Sequence, residues 1–398
     1  MNTHDPIFNE IRKEWLEHIL PFWTRLKDES NGGYYGEVDF SLTVKPRAPK
    51  GCIANSRILW SFAAAYRVTG IADYLKCARH AFSFLTKRLL DSELGGLIWM
   101  ADYQGNPLDT RKHIYNQAFG VYALSKYFRA TGEPDALKLA QELFKTIETV
   151  GYDEQIGAYR EEFDREWNEQ PNVMLSGNGV VADITMNTHI HVLEAYTTLY
   201  RIWPDPQVRQ SLDRLLSILH DRMFDPELGR LNVFFDKNWA SLTDVTSFGH
   251  DIEASWLIQD AIEAAELSNP KYKQMVLALA HSVSARAILS DGSVMNEEEG
   301  GRLDTTRIWW VQAEAMVGFL NAYELTGEAR FLELVRKIWS YTSEMIIDPR
   351  PGGEWYWSVD GQGNPAGREI AGPWKCPYHN SRFCIEMLLR MERLHSKA

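Results

Sequence analysis

Three histidines, His191, His250 and His379, stand in the opening turns of apolar helical stretches far apart in the chain. Histidine changes charge near neutrality, so a pocket that gathers several imidazoles can both take a proton and return it. Glu253 follows His250 by three residues, which puts both on one helix face. There it would orient the imidazole, bond a substrate hydroxyl or cap the first turn. Glu314 follows Trp309-Trp310 by about one helical turn and is expected to face the same way. Two carboxylates alone would suggest glycoside hydrolysis, with an acid and a base flanking the bond. Arg57 and Tyr115 open two further stretches, and a buried arginine needs an acceptor such as a substrate oxygen. Of the 14 tryptophans, Trp60, Trp309, Trp310 and Trp374 fall at the same phase. Flat aromatic faces stack on the C–H faces of sugars.

The remaining histidines carry less. His4, His18, His80, His113, His220, His281 and His395 are expected to serve at the surface or in packing. His189 and His191 are two apart on a helix and point to different faces, so they should not share an ion. No His-Glu-x-x-His run occurs. The one metal set worth testing is His191, His250, His379 and Glu253 at a single point; none is expected. Gly177-Asn178-Gly179 lacks the third glycine of a dinucleotide loop, and there is no P-loop, which disfavours hydride and phosphoryl transfer.

These residues recur at one phase of a repeat. Acidic, Gly-containing loops begin at Asp28, Asp91, Asp153, Asp225, Asp291 and Asp348. They lie roughly 60 to 70 residues apart, the length of a helix pair plus a loop. Thr-Gly pairs at Thr69-Gly70, Thr131-Gly132 and Thr326-Gly327 predict glycine C-caps. Prolines at Trp203-Pro204 and Asn269-Pro270 are expected to open the next helices. The segments 33–40 and 231–235 carry strand-favouring residues. The second helix of each pair is apolar nearly all round, as over 252–262 and 309–322, so it is buried on most sides. Six such helices inside six others make an (α/α)6 barrel, all-α apart from short β segments at one mouth. A single domain over 1–398 is expected.

The net charge of −12 argues against a nucleic-acid binder, which would need a basic stripe to neutralise phosphates. No apolar run reaches the roughly 20 residues of a membrane span, and Met1 to Asn9 lacks an apolar signal region. Cys52, Cys77, Cys376 and Cys384 show no Cys-x-x-Cys spacing and are expected to be reduced in the cytoplasm. Glu297-Glu298-Glu299 is expected to be a solvated loop. A monomer is expected, with a homodimer as the alternative.

Five blocks of the sequence, at 51–60, 186–194, 249–257, 309–314 and 374–382, resemble the N-acylglucosamine 2-epimerase superfamily. They include Asn55-Ser56-Arg57, Met186-Asn187-Thr188-His189-Ile190-His191, Gly249-His250-Asp251-Ile252-Glu253, Trp309-Trp310-Val311-Gln312-Ala313-Glu314 and Tyr378-His379-Asn380-Ser381-Arg382. The resemblance runs from Gly32 to the C-terminal helix. It implies an (α/α)6 barrel without catalytic metal or nucleotide cofactor. It also implies conversion of reducing-end glucose to mannose in β-1,4-linked disaccharides, by removing and restoring the C2 proton. On the same ground His250 and His379 would be the acid/base pair and His191 would assist. Arg57, Asn187, Glu253 and Glu314 would hold the sugar, Trp310 and Trp374 would stack on it, and Tyr115 would touch it. A sibling acting on N-acetylglucosamine or mannose, an aldose–ketose isomerase, an inverting glycoside hydrolase and a non-catalytic binding protein are the alternatives.

Overall fold

The computed structural model of the chain describes residues 6–175 and 179–397, with side chains to 394. His4, the side chain of His395, and Gly177 and Asn178 of the weak glycine loop lie outside that range. The first helix, α1, covers 6–25 and widens to a π turn over Glu14–Ile19. Then come α2 (Cys52–Thr69), α3 (Ala72–Phe84), α4 (Ile114–Thr131), α5 (Pro134–Thr146), α6 (Met186–Tyr200) and α7 (Pro206–Ile218). The last five are α8 (Phe248–Ala264), α9 (Pro270–Arg286), α10 (Trp309–Thr326), α11 (Ala329–Tyr341) and α12 (Tyr378–Lys397).

The even-numbered helices pack in chain order, and α12 returns to α2 to close the inner ring. Each odd-numbered helix from α3 to α11 packs outside the even helix before it, while α1 covers α12. The molecule is an (α/α)6 barrel. The sequence accounts for the two rings. On α5, Ala136, Leu139, Ala140, Leu143 and Phe144 are buried, a single stripe at helical spacing with polar residues opposite. On α10 every residue from Val311 to Ala322 is buried, so the helix must be enclosed. Each large apolar side chain so buried contributes about 1.5–3 kcal/mol.

The Thr-Gly pairs do what their types predict. Gly70, Gly132 and Gly327 cap α2, α4 and α10 in the left-handed region, at φ 70°, 72° and 74°. The preceding threonine hydroxyl accepts from the amide just after the glycine, as Thr69 does from Ile71. Pro270 opens α9 behind Asn269, as expected. Pro204 does not open α7: the helix starts at Pro206 behind the Asp205 cap, because Asp205 Oδ1 accepts from Gln207 N and the earlier proline has no such cap.

The loop aspartates are structural. Asp28, Asp91, Asp153 and Asp225 each accept two backbone amides within their own turn. Of the six loop aspartates, Asp28, Asp91 and Asp291 hold a cation lying just ahead of an inner helix. Lys50 Nζ is 2.7 Å from Asp28, Lys112 Nζ 3.1 Å from Asp91 and Arg307 Nη2 2.6 Å from Asp291. The residues before each inner helix also pair with a segment of the next loop: Lys50–Gly51 with Met100–Ala101, Lys112–His113 with Glu162–Phe163, and Ile184–Thr185 with Phe234–Phe235. Thr246–Ser247 pairs with Glu297–Glu298 and Arg307–Ile308 with Ser358–Val359. Val38 with Ala371 closes the belt. The glutamate run is therefore a strand of this belt rather than a loop, because its alternate backbone groups are needed by Thr246 and Ser247. The belt fixes where all six inner helices begin, at one mouth.

Candidate active site

A cavity of about 220 Å³ opens at that mouth. Its walls are Arg57 of α2, Tyr115 of α4, Asn187 and His191 of α6, His250 and Glu253 of α8, and Trp309 and Trp310 of α10. Trp357 and Trp374 come from the last loop and His379 from α12. Each inner helix contributes its first turns, and six helix N-termini favour negative charge at their common focus. Gly249 makes part of this approach possible. A Cβ there would meet the Trp310 ring at 2.5 Å; with none, the ring lies over His250 at a centroid distance of 4.8 Å.

The two histidines of α6 divide their work by face. His189 is buried among structural partners: Nδ1 bonds Thr185 O at 2.7 Å, and Nε2 accepts from Tyr159 N at 3.2 Å. His191 faces the cavity, with Nδ1 2.9 Å from Glu194 Oε2. His113 is likewise a packing residue, accepting from Tyr115 N to cap α4.

Arg57 is buried and donates to the Tyr115 hydroxyl at 2.8 Å, with its guanidinium 4.2 Å from the Phe119 ring centroid. Its Nε finds no acceptor among the described residues. Burial raises the Tyr115 phenol to about 12, with Arg57 opposing the shift, so that hydroxyl stays protonated. The Asn187 carbonyl oxygen is also without a partner among the described residues.

Below the cavity floor one guanidinium meets three carboxylates. Arg382 donates through Nη1 to Glu194 Oε1 and through Nη2 to Glu253 Oε1, and reaches Glu314 Oε1 at 2.6 Å. Burial would raise Glu194, but Arg382 and the His191 hydrogen bond outweigh it and hold the carboxyl at about 2. Burial and the neighbouring Glu314 push Glu253 up to about 7, against the pull of Arg382. Burial also raises Glu314, with Arg382 opposing. One positive charge cannot compensate three negatives in so enclosed a place, and the deficit falls on Glu253, whose Oε2 has no partner among the described residues. Near neutrality Glu253 can thus present either a carboxylate oxygen or an O–H to a ligand.

Glu314 does not line the cavity. It lies one layer down, where Oε2 accepts from Trp256 Nε1 at 3.0 Å and Oε1 is 2.7 Å from His379 Nδ1. Glu314 Oε1 already accepts from Arg382, so His379 Nδ1 is the donor and its Nε2 keeps a lone pair. Burial, followed by the charges of Arg57 and Arg382, holds the His379 imidazole well below its usual range and hence neutral. Glu253 does not orient His250; the partner of His250 Nδ1 is Ser247 Oγ, at 2.7 Å. Burial first, and then repulsion from His191, lower the His250 imidazole to about 3.

Glu253, Glu314 and His379 offer ligand atoms within 4.8 Å of one another. The set does not suit an ion, because Arg382 already stands between the two carboxylates and supplies the positive charge there. Trp60 does not reach the cavity; its ring stacks on Tyr122 deeper in the barrel. Trp357, Glu194, Tyr378 and Ser247 were not singled out from sequence. Glu194 repeats the i,i+3 spacing that marks His250 and Glu253, so it was available to the same reasoning. Trp357 carried no periodic signal, because it lies in a loop.

The family model for N-acylglucosamine 2-epimerase (GlcNAc 2-epimerase) matches residues 33–382. The chain belongs to the N-acylglucosamine 2-epimerase family. A cellobiose 2-epimerase of Ruminococcus albus is 44% identical over 387 residues, 96% of this chain and 99% of the relative. The solved cellobiose 2-epimerase of Bacillus thermoamylovorans B4167 is 54% identical, with a TM-score of 0.96 over 97% of this chain and 100% of the other. A D-mannose isomerase of Marinomonas mediterranea stands further off, at 22% identity over 94% of this chain and 95% of its own.

Proposed function

We propose that this family member is a carbohydrate epimerase that inverts C2 of the reducing-end glucose in β-1,4-linked disaccharides, cellobiose foremost. The observation that carries the reading is the set of three imidazoles on one cavity. In two of them, His191 and His379, Nδ1 is engaged by a carboxylate, which leaves Nε2 for chemistry.

C2 of a closed pyranose is not acidic, so the ring opens first. His250 takes the O1 proton while His191, entering as imidazolium against Glu194, protonates the ring oxygen. The aldehyde now acidifies C2. His379 Nε2 removes that proton, and the electron pair moves onto O1 as an enediolate. Arg57, with its unused N–H, and the converging helix N-termini stabilise this oxygen. His250 then delivers its proton to the opposite face of C2. Ring closure returns the ring-oxygen proton to His191 and passes the His379 proton to O1, so all three imidazoles are reset. Glu253 and Asn187 bind sugar hydroxyls, and Trp310, Trp357 and Trp374 stack on the rings. Each positioned proton transfer is worth about 10²–10⁴ in rate. A single chain supplies every wall of this cavity, and its four cysteines are buried and free. The proposal is accordingly for a monomer working in the cytoplasm.

Incubation with cellobiose in heavy water is expected to give glucosyl-mannose carrying deuterium at C2. Unlabelled product would replace this mechanism with an internal hydride shift. Free monosaccharide would move the chain to the hydrolases, a class the floor disfavours because Arg382 engages the carboxylates. Turnover of mannose but not cellobiose would make it an isomerase of monosaccharides.

A further inference from the structure

A second cavity, of about 480 Å³, lies at the opposite end of the barrel and takes no part in the chemistry above. Its walls include the last turns of α2 and α4, the 385–392 stretch of α12, and Arg12, Trp15 and Leu16 of α1. Four cations line it: Arg12, Arg67, Lys126 and Arg129. In a chain of net charge −12 this is unusual company. Among the described residues no carboxylate pairs with any of the four, although Glu392 stands in the same wall. Nearby cations are treated differently: Arg201 pairs with Asp260, and Arg390 with Glu324 and Glu386.

Arg67 and Arg129 fall in last turns, where cations complement the helix dipole, and that alone would place them. It does not place Lys126, whose ammonium turns inward to 4.9 Å from the Trp60 ring centroid, nor Arg12, which comes from the outer ring. The inward position is held against its charge. Burial, with repulsion from Arg129, Arg201 and Arg67 working against attraction to Glu386, lowers the Lys126 amine to about 8. A second observation points the same way. Trp15, a wall residue 1% exposed, has a buried indole Nε1–H with no acceptor among the described residues. Cations without carboxylate partners around one cavity suit an acceptor with several oxygens.

We propose that this cavity binds a phosphate group, either as the free ion or as a small phosphate ester, between Arg12, Arg67, Lys126 and Arg129. Guanidinium forks match phosphate oxygens two at a time, and Lys126 adds a point charge. The volume left over accommodates an attached sugar.

The test is titration calorimetry on the whole chain with inorganic phosphate and, separately, glucose 6-phosphate, at a fixed ionic strength of about 0.15 M. One saturable site per chain is expected. Arg67→Gln/Arg129→Gln and Lys126→Met should each weaken it at least about tenfold, ~1.4 kcal/mol. Thermal unfolding reports whether the variants fold, and these half-buried or exposed positions should tolerate the change. Tighter binding of the ester would assign a sugar phosphate, and equal affinity the free ion. No saturable heat with either ligand, or undiminished affinity in both variants, overturns the proposal.

Discussion

His379 and His250 line the same cavity on different supports. His379 is 6% exposed and rests on a buried charge cluster. Its Nδ1 proton is committed to Glu314, which Arg382 holds in place. His250 stands nearer the rim, backed only by the Ser247 hydroxyl, which can donate or accept. A charged partner fixes one tautomer and stabilises the imidazolium that forms. A hydroxyl leaves both tautomers open and adds little when charge appears. The difference suits one site that must remove a proton from carbon and another that relays a proton between oxygen and carbon.

The comparison fails first if its foundation is not Arg382. Arg382→Met should leave Glu194, Glu253 and Glu314 without a counter-charge. Removing one partner of a buried ion cluster costs about 3–5 kcal/mol. Chemical denaturation should show a loss of that order, together with loss of epimerisation; an unchanged midpoint would mean the carboxylates are already neutral.

The next test sets the two backing groups against each other. A hydrogen bond to a charged group is worth about 1.5–3 kcal/mol and a neutral one about 0.5–1.5. Glu314→Gln should therefore lower kcat by about ten- to a hundredfold, and Ser247→Ala by less than about tenfold, with KM little moved in either. Equal losses would erase the distinction between the two histidines.

The smallest effect is on stability against pH. His250 holds its proton only below about 3 when folded, against 6.5 ordinarily. The unfolded chain therefore protonates first, and this contribution is complete above 6.5 and lost as pH falls toward 3. Glu253 runs the other way: with its pKa raised from 4.5 to about 7, its contribution is present below 4.5 and lost as pH rises through 7. Denaturation midpoints across this range should show a shallower acid slope in His250→Gln and a shallower neutral slope in Glu253→Gln. If the His250 variant keeps the full acid slope, its imidazole is not neutral in the folded protein.

Periodicity alone separated the rings, because an enclosed helix must be apolar all round while an outer one needs only a stripe; compare α10 with α5. The phase of the repeat marked nine of the eleven residues lining the cavity, since a closed ring brings equivalent turns together, and Asn187 came only with the family resemblance. Trp357 escaped because a loop has no period. Glu314 was expected at the wall, yet lies beneath it, because one helical turn sets the face of a side chain but not its depth.

Sequence by itself determined the repeat, the two kinds of helix and the identity of the imidazoles, all of which follow from local spacing and side-chain type. Tertiary structure alone decided that Arg382 stands among three carboxylates from α6, α8 and α10, that Glu253 carries the resulting charge deficit, and that Glu314 rather than Glu253 governs His379. Those outcomes depend on distances across the barrel, and Coulombic and desolvation energies change too steeply with distance and burial to be read along a chain.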